Sequence, residues 1–159
     1  MDDLGTLIRF VHLLGVAVWL GGMITVGAVV IPALRAGADR DAARPLVTRV
    51  ARRFAIWGGA GWLLILITGF GLLGDRGVSV ADLPDSEWGQ RVLAKLALLL
   101  AMGVAVLAHA AWQGPRVRRA EDAGDAASAR RWRILGGVLD GLILLGTLAA
   151  LWLAASLVP

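Results

Sequence analysis

Four runs of this chain are apolar over roughly the ~20 residues that a helix needs to cross the ~30 Å hydrocarbon core of a bilayer. They cover residues 6–34, 54–74, 90–113 and 134–157. In hydrocarbon no water is present to bond an exposed N–H or C=O, so a spanning segment closes its own hydrogen bonds as a helix or joins a closed barrel. The runs are continuous rather than alternating, which selects helices. The expected fold class is therefore all-α, an integral membrane four-helix bundle. The connecting segments are too short to hold a second domain, so residues 1–159 are expected to form one unit.

Charge divides the connections into two kinds. Between the first and second runs lie Arg35, Arg40, Arg44, Arg49, Arg52 and Arg53, against Asp39 and Asp41. Between the third and fourth lie Arg116, Arg118, Arg119, Arg130, Arg131 and Arg133. The middle connection carries Asp75, Asp82, Asp85 and Glu87 with the single Arg76. The positive-inside rule places the arginine segments in the cytoplasm and both termini outside. Trp57, Trp112 and Trp132 fall at the inner boundary, and Trp88 and Trp152 at the outer one, as an aromatic belt. A bacterial-type plasma membrane is the expected location, with the lipid bilayer as first partner. The net charge of +4 belongs to these loops and does not imply nucleic acid.

The first run opens on Asp2 and Asp3 and is longer than a signal-peptide core, so it is expected to stay as a span. Pro45 should break the first arginine loop, whose second half leads into helix two. The inner segment "GPRVRRAEDAGDAASARRWR" has the pattern of a short surface helix. Gly137 and Gly141 form a GxxxG pair that allows close helix approach, within the bundle or in a homo-oligomer.

Ionisable residues at membrane depth are candidates for function, because a charge there is costly by about 2.5–3.5 kcal/mol on insertion scales. Arg9, His12, Arg91, Lys95, His109 and Asp140 make up this group. Arg9 and His12 share a face of helix one, and Arg91 and Lys95 a face of helix three. His12 and Lys95 both lie roughly 10 Å inside the outer helix ends, at the depth of Thr68. If helices one and three touch, these residues form a cationic outer pocket floored by Trp19. His109 is about 21 Å deeper than Lys95 and faces the depth of Asp140 on helix four. That pair suits a proton relay, a ligand with its outer-shell carboxylate, or a structural contact that fixes helix register.

The outer pocket suits heme b, with His12 as axial ligand, Lys95 as second ligand or propionate partner, and Arg9 and Arg91 as anion partners. Copper is the competing cofactor. Cu(I) prefers thiolate and thioether sulfur, but the chain has no cysteine and only Met1, Met23 and Met102. A third reading is a non-catalytic accessory subunit that uses its polar residues to bind a partner.

Three stretches resemble the CopD-like membrane domains and the related HemJ-type proteins: "FVHLLGVAVWLGGMI", "ARRFAIWGGAGWLLILITGFGLL" and "WGQRVLAKLALLLAMGVAVLAHAAWQGPRVRR". They carry a helix-one His12 followed by Trp19, Gly21 and Gly22, then Thr68–Gly69, then Gly89, Leu93 and Lys95. The CopD branch implies copper uptake or resistance. The HemJ branch implies a heme b-binding oxidoreductase acting on a porphyrinogen, with the counterparts of His12 and Lys95 needed for activity. In place of that branch's Leu-Tyr-Leu-Pro-Arg run, this chain reads "LGGMITVGAVVIPALR" after Trp19. The leading expectation is a heme b-binding membrane redox protein exchanging electrons with quinol, a porphyrinogen or a periplasmic donor. The alternative is a copper transporter whose His109–Asp140 pair passes the ion inward.

Overall fold

In a computed structural model, residues 3–36 and 40–156 are described, and these form helices and short turns with no strand among them. Four helices are long and apolar enough to span a membrane: α1 (Asp3–Leu34), α2 (Pro45–Asp75), α3 (Glu87–Asp122) and α4 (Ala126–Ala155). The chain divides into two compact units, Met1–Val80 and Ala81–Pro159, each built around a helical hairpin. The expected end of the fourth run at residue 157, and Asp39 of the first arginine-rich connection, lie outside the described residues.

In the first unit, α1 and α2 cross through glycine. A Cβ on Gly15 would stand 2.9 Å from the Gly61 carbonyl oxygen, and one on Gly61 would stand 3.0 Å from that of Gly15. The two backbones touch where neither carries a side chain, which is how helices gain van der Waals contact when lipid supplies no hydrophobic drive. Trp19 and Phe54 close the arginine-rich end, with ring centroids 6.5 Å apart. Phe54 also fills the space over Gly22. Helical structure runs continuously from Arg40 to Asp75, so Pro45 does not break the segment as expected. It is the sixth residue of that stretch, so the helix forgoes one intrahelical bond there and continues through it.

Prolines also explain two widened turns. π-Helical stretches at Thr25–Val30 and His109–Gln113 end just before Pro32 and Pro115. A proline ring clashes with the carbonyl four residues earlier and donates no N–H, and a π turn relieves both within a continuous helix.

The second unit begins on a tight turn. Leu83 is buried, and its carbonyl would sit 2.0 Å from any Cβ on Gly89, so only glycine fits under it. Ser86 then caps α3 by accepting the Gly89 N–H at 3.0 Å. α3 and α4 pack through Met102 and Thr147: the Thr147 hydroxyl donates to the Ile143 carbonyl of its own helix at 2.8 Å, and its oxygen lies 3.1 Å from the Met102 sulfur. Both helices extend past the expected apolar runs, leaving only residues 123–125 between them. The anticipated surface helix is therefore the ends of α3 and α4 themselves. Gly124, at φ +69°, closes α3: its N–H donates to the Glu121 carbonyl, and that of Asp125 to the Ala120 carbonyl. This is a Schellman cap, and its left-handed residue favours glycine. Asp125 then caps α4 by accepting the Ser128 N–H at 2.9 Å.

Two outcomes follow from this packing. Gly15→Ala and Gly61→Ala each force backbone apart and should destabilise the first unit by about 1–3 kcal/mol. Gly59→Ala, with open space at its Cβ, should be neutral; thermal unfolding in detergent distinguishes them. The Ser128 N–H is the first cause holding the Asp125 carboxyl below the usual carboxylate range. The cap's contribution is thus present above the unfolded-state pKa and lost as pH falls through the lower folded value. Hydrogen exchange at the start of α4 should accelerate in that acid window and not at neutral pH.

Candidate functional site

The α1–α2 hairpin places His12 in contact with Thr68. Both side chains are buried, His12 to 8 % exposure. The imidazole Nδ1 lies 2.9 Å from the Thr68 hydroxyl oxygen. That hydroxyl has a single hydrogen, and it is directed at the Leu64 carbonyl one turn earlier on α2. The hydroxyl oxygen therefore receives from His12, and Nδ1 carries the proton. Nε2 is then the nitrogen with the lone pair, the atom that can bind a metal ion or accept a proton. A hydrogen bond that fixes ring tautomer and orientation in this way is the usual support of a ligating histidine.

Trp19 is buried to 4 % exposure, seven residues beyond His12 on the same helix. Its ring packs on Phe54, which gives it a structural role at the arginine-rich end of the hairpin. Arg9 is exposed.

In the second unit, Lys95 is half-buried on α3 and has no hydrogen-bond or ion-pair partner among the described residues. Arg91, one turn earlier, is exposed and donates to the Ser156 carbonyl at 3.3 Å. Its guanidinium thus meets the chain end of α4. Because Arg9, His12, Trp19 and Thr68 belong to one unit and Arg91 and Lys95 to the other, each set is described in its own surroundings.

His109 and Asp140 form the other polar pair of the second unit. Nδ1 and Oδ1 are 3.7 Å apart, with the side chains 28 % and 67 % exposed. That spacing is too long for a direct hydrogen bond. His109 Nδ1 is itself buried and has no hydrogen-bond partner among the described residues. His109 opens the π-helical stretch that precedes Pro115, so its position on α3 follows from that proline.

Sequence reasoning missed the clamp beside this pair. The Arg116 guanidinium lies 4.9 Å from the Trp132 ring centre and 5.8 Å from that of Trp112. Gln113 donates to the Trp132 carbonyl at 3.2 Å and fills the space over Gly136. The signal was present as three tryptophan and arginine positions at one membrane boundary. Pairing them needed the register of α3 on α4.

For soft metals the donor supply is thin. The Met102 sulfur is buried against Thr147, 3.1 Å from its hydroxyl oxygen. No group of three or more His, Asp or Glu side chains that could hold a metal occurs among the described residues. The imidazole and carboxylate donors within the apolar runs are those of His12, His109 and Asp140.

Residues 48–157, more than half of the chain, match the family described as Copper resistance protein D. The match includes α2, α3 and α4 and excludes His12. No curated protein matches the chain, and no solved structure does.

Replacing Thr68 with valine keeps its shape and removes the acceptor of His12 Nδ1–H. Stability should fall by about 1–3 kcal/mol, the penalty for a buried donor left without its partner. Nitrogen NMR of the His12 ring should show the Nδ1–H tautomer in the native chain and a mixture in Thr68→Val.

Proposed function

The chain belongs to the copper resistance protein D family, and on that premise we propose that it is a multi-pass membrane protein that handles copper as cargo. The family match is the observation that carries this reading. It reverses the order expected from the sequence, where heme b led and copper followed.

The donor chemistry fits copper in one oxidation state better than the other. Thiolate and thioether ligands select Cu(I), whereas imidazole and carboxylate serve Cu(II), the tightest of the first-row divalent ions on such ligands. This chain offers imidazole from His12 and His109 and carboxylate from Asp140. So few ligands favour brief occupancy and release, which suits passage of an ion more than storage.

By the positive-inside rule the arginine-rich segments face the cytoplasm and both termini face outward. In that orientation His12 lies in the outer half of its own span, and His109 and Asp140 lie in the inner half of theirs. Thr68 holds the His12 ring with its proton on Nδ1, so Nε2 is the atom that meets an incoming ion. Lys95 and the outer arginines attract an anionic carrier or counter-ion.

Heme b is the second reading, favoured by the same oriented His12 imidazole. A heme would be held by His12 Nε2, with Arg9 on the same helix as a partner for its propionates, and would supply one-electron redox chemistry.

Metal analysis and absorption spectra of detergent-purified protein, oxidised and dithionite-reduced, separate the two. Copper near one equivalent after Cu²⁺ loading, with no Soret band, is the expected result. A Soret band with sharp reduced α and β bands, and no copper, would replace copper with heme. Orientation is tested separately. The chain has no cysteine, so single cysteines at Ser128 and at Ser79 report on opposite sides. The first should react with an impermeant thiol reagent only from the cytoplasm, the second only from outside.

A further inference from the structure

We propose that Arg116, held against the rings of Trp112 and Trp132, is the centre of a site for the phosphate of an anionic phospholipid at the arginine-rich end of the second unit. This site is separate from any copper ligand and does not depend on the copper reading.

The first observation is how the guanidinium is held. Its carbon lies 4.9 Å from the Trp132 ring centre and 5.8 Å from that of Trp112. Gln113, one turn before Arg116 on α3, donates to the Trp132 carbonyl at 3.2 Å. That bond fixes the register in which tryptophans from two helices reach one arginine. An indole face attracts a cation, but it offers no oxygen to the five N–H donors of the guanidinium fork. Among the described residues no carboxylate or carbonyl accepts from Arg116. The side chain is therefore positioned in advance, with its planar fork left for an oxyanion that takes two parallel hydrogen bonds.

The second observation is charge. Arg116, Arg118, Arg119, Arg130, Arg131 and Arg133 face only Glu121, Asp122 and Asp125 across this end of the hairpin. Glu121 lies 3.8 Å from Arg133, and Asp125 is occupied in capping α4. Arg119 is exposed and stands one turn beyond Arg116 on the same helix face, where it adds a second positive charge. Asp140 is about 12 Å along α4 from Trp132, too far to repel a headgroup at Arg116.

The third observation selects a lipid over a free phosphate. Tryptophan collects at the level of the headgroups, so Arg116 is held at the depth where lipid phosphates lie. Trp112 is exposed beside it, and so is Leu135, one turn past Trp132 toward the hydrocarbon. These apolar surfaces suit the upper part of an acyl chain attached to the bound phosphate. Basic side chains between two spans on the cytoplasmic side are the usual setting for anionic headgroups.

Native mass spectrometry of the full-length chain, released from nanodiscs of equal phosphatidylglycerol and phosphatidylcholine, reads which lipid stays bound. Retention of phosphatidylglycerol in preference to phosphatidylcholine is the expected result. Titration with phosphatidylglycerol in detergent then ranks the variants. Arg116→Ala should weaken binding at least about fivefold, whereas Arg118→Ala, which removes the same charge, should weaken it far less. Trp132→Leu keeps every charge and should also weaken binding, because Arg116 loses its nearer ring. Thermal unfolding at the native temperature confirms that each variant is folded. Equal retention of the two lipids by the native chain would overturn the site. So would equal weakening by Arg116→Ala and Arg118→Ala, the mark of a diffuse basic surface, or native affinity in Trp132→Leu.

Discussion

A bilayer core offers nothing to a stranded N–H, C=O or charge, and that penalty shapes each part of this molecule. The backbone answers with four long helices that satisfy their own bonds, including π turns where Pro32 and Pro115 would otherwise break them. The helix ends answer with glycine caps and side-chain caps at Gly124, Ser86 and Asp125. What remains is a small set of polar side chains inside the apolar spans, each of which needs a reason to be there.

The two hairpins supply contrasting answers. His12 is satisfied internally: its ring donates to Thr68, which in turn bonds its own helix backbone. This arrangement makes the imidazole rigid and leaves its chemistry to one nitrogen. His109 and Asp140 stand near each other without closing a hydrogen bond. A closed pair stabilises a fold, whereas an open pair between ionisable groups is suited to receiving something. Lys95 extends the contrast, since it too has no partner among the described residues.

Much of this was legible in the sequence for simple reasons. Apolar run length gives four helices, and depth along a helix puts Thr68 level with His12 and His109 level with Asp140. The continuation of α3 to Asp122 and the start of α4 at Ala126 were not legible, because arginine-rich, alanine-rich stretches look alike as loops and as helix ends beyond the membrane. The π turns at Thr25–Val30 and His109–Gln113 were hidden as well, although Pro32 and Pro115 near the ends of apolar runs are their signal; the one at Ala17–Gly21 has no proline just after it. The packing of Trp19 on Phe54 was not legible, because that contact depends on how α1 crosses α2 at Gly15 and Gly61. Sequence chemistry put heme before copper because one oriented histidine serves either. The family match over residues 48–157 changes that order.

Copper movement across a sealed membrane tests this account most directly. Proteoliposomes containing the purified chain, with a copper-sensitive dye trapped inside, can be exposed to Cu²⁺ outside and followed over time. The account predicts dye response well above that of protein-free vesicles, and a reduced response with His12→Ala. Entry no faster than in protein-free vesicles, with correctly folded and oriented protein, would contradict it.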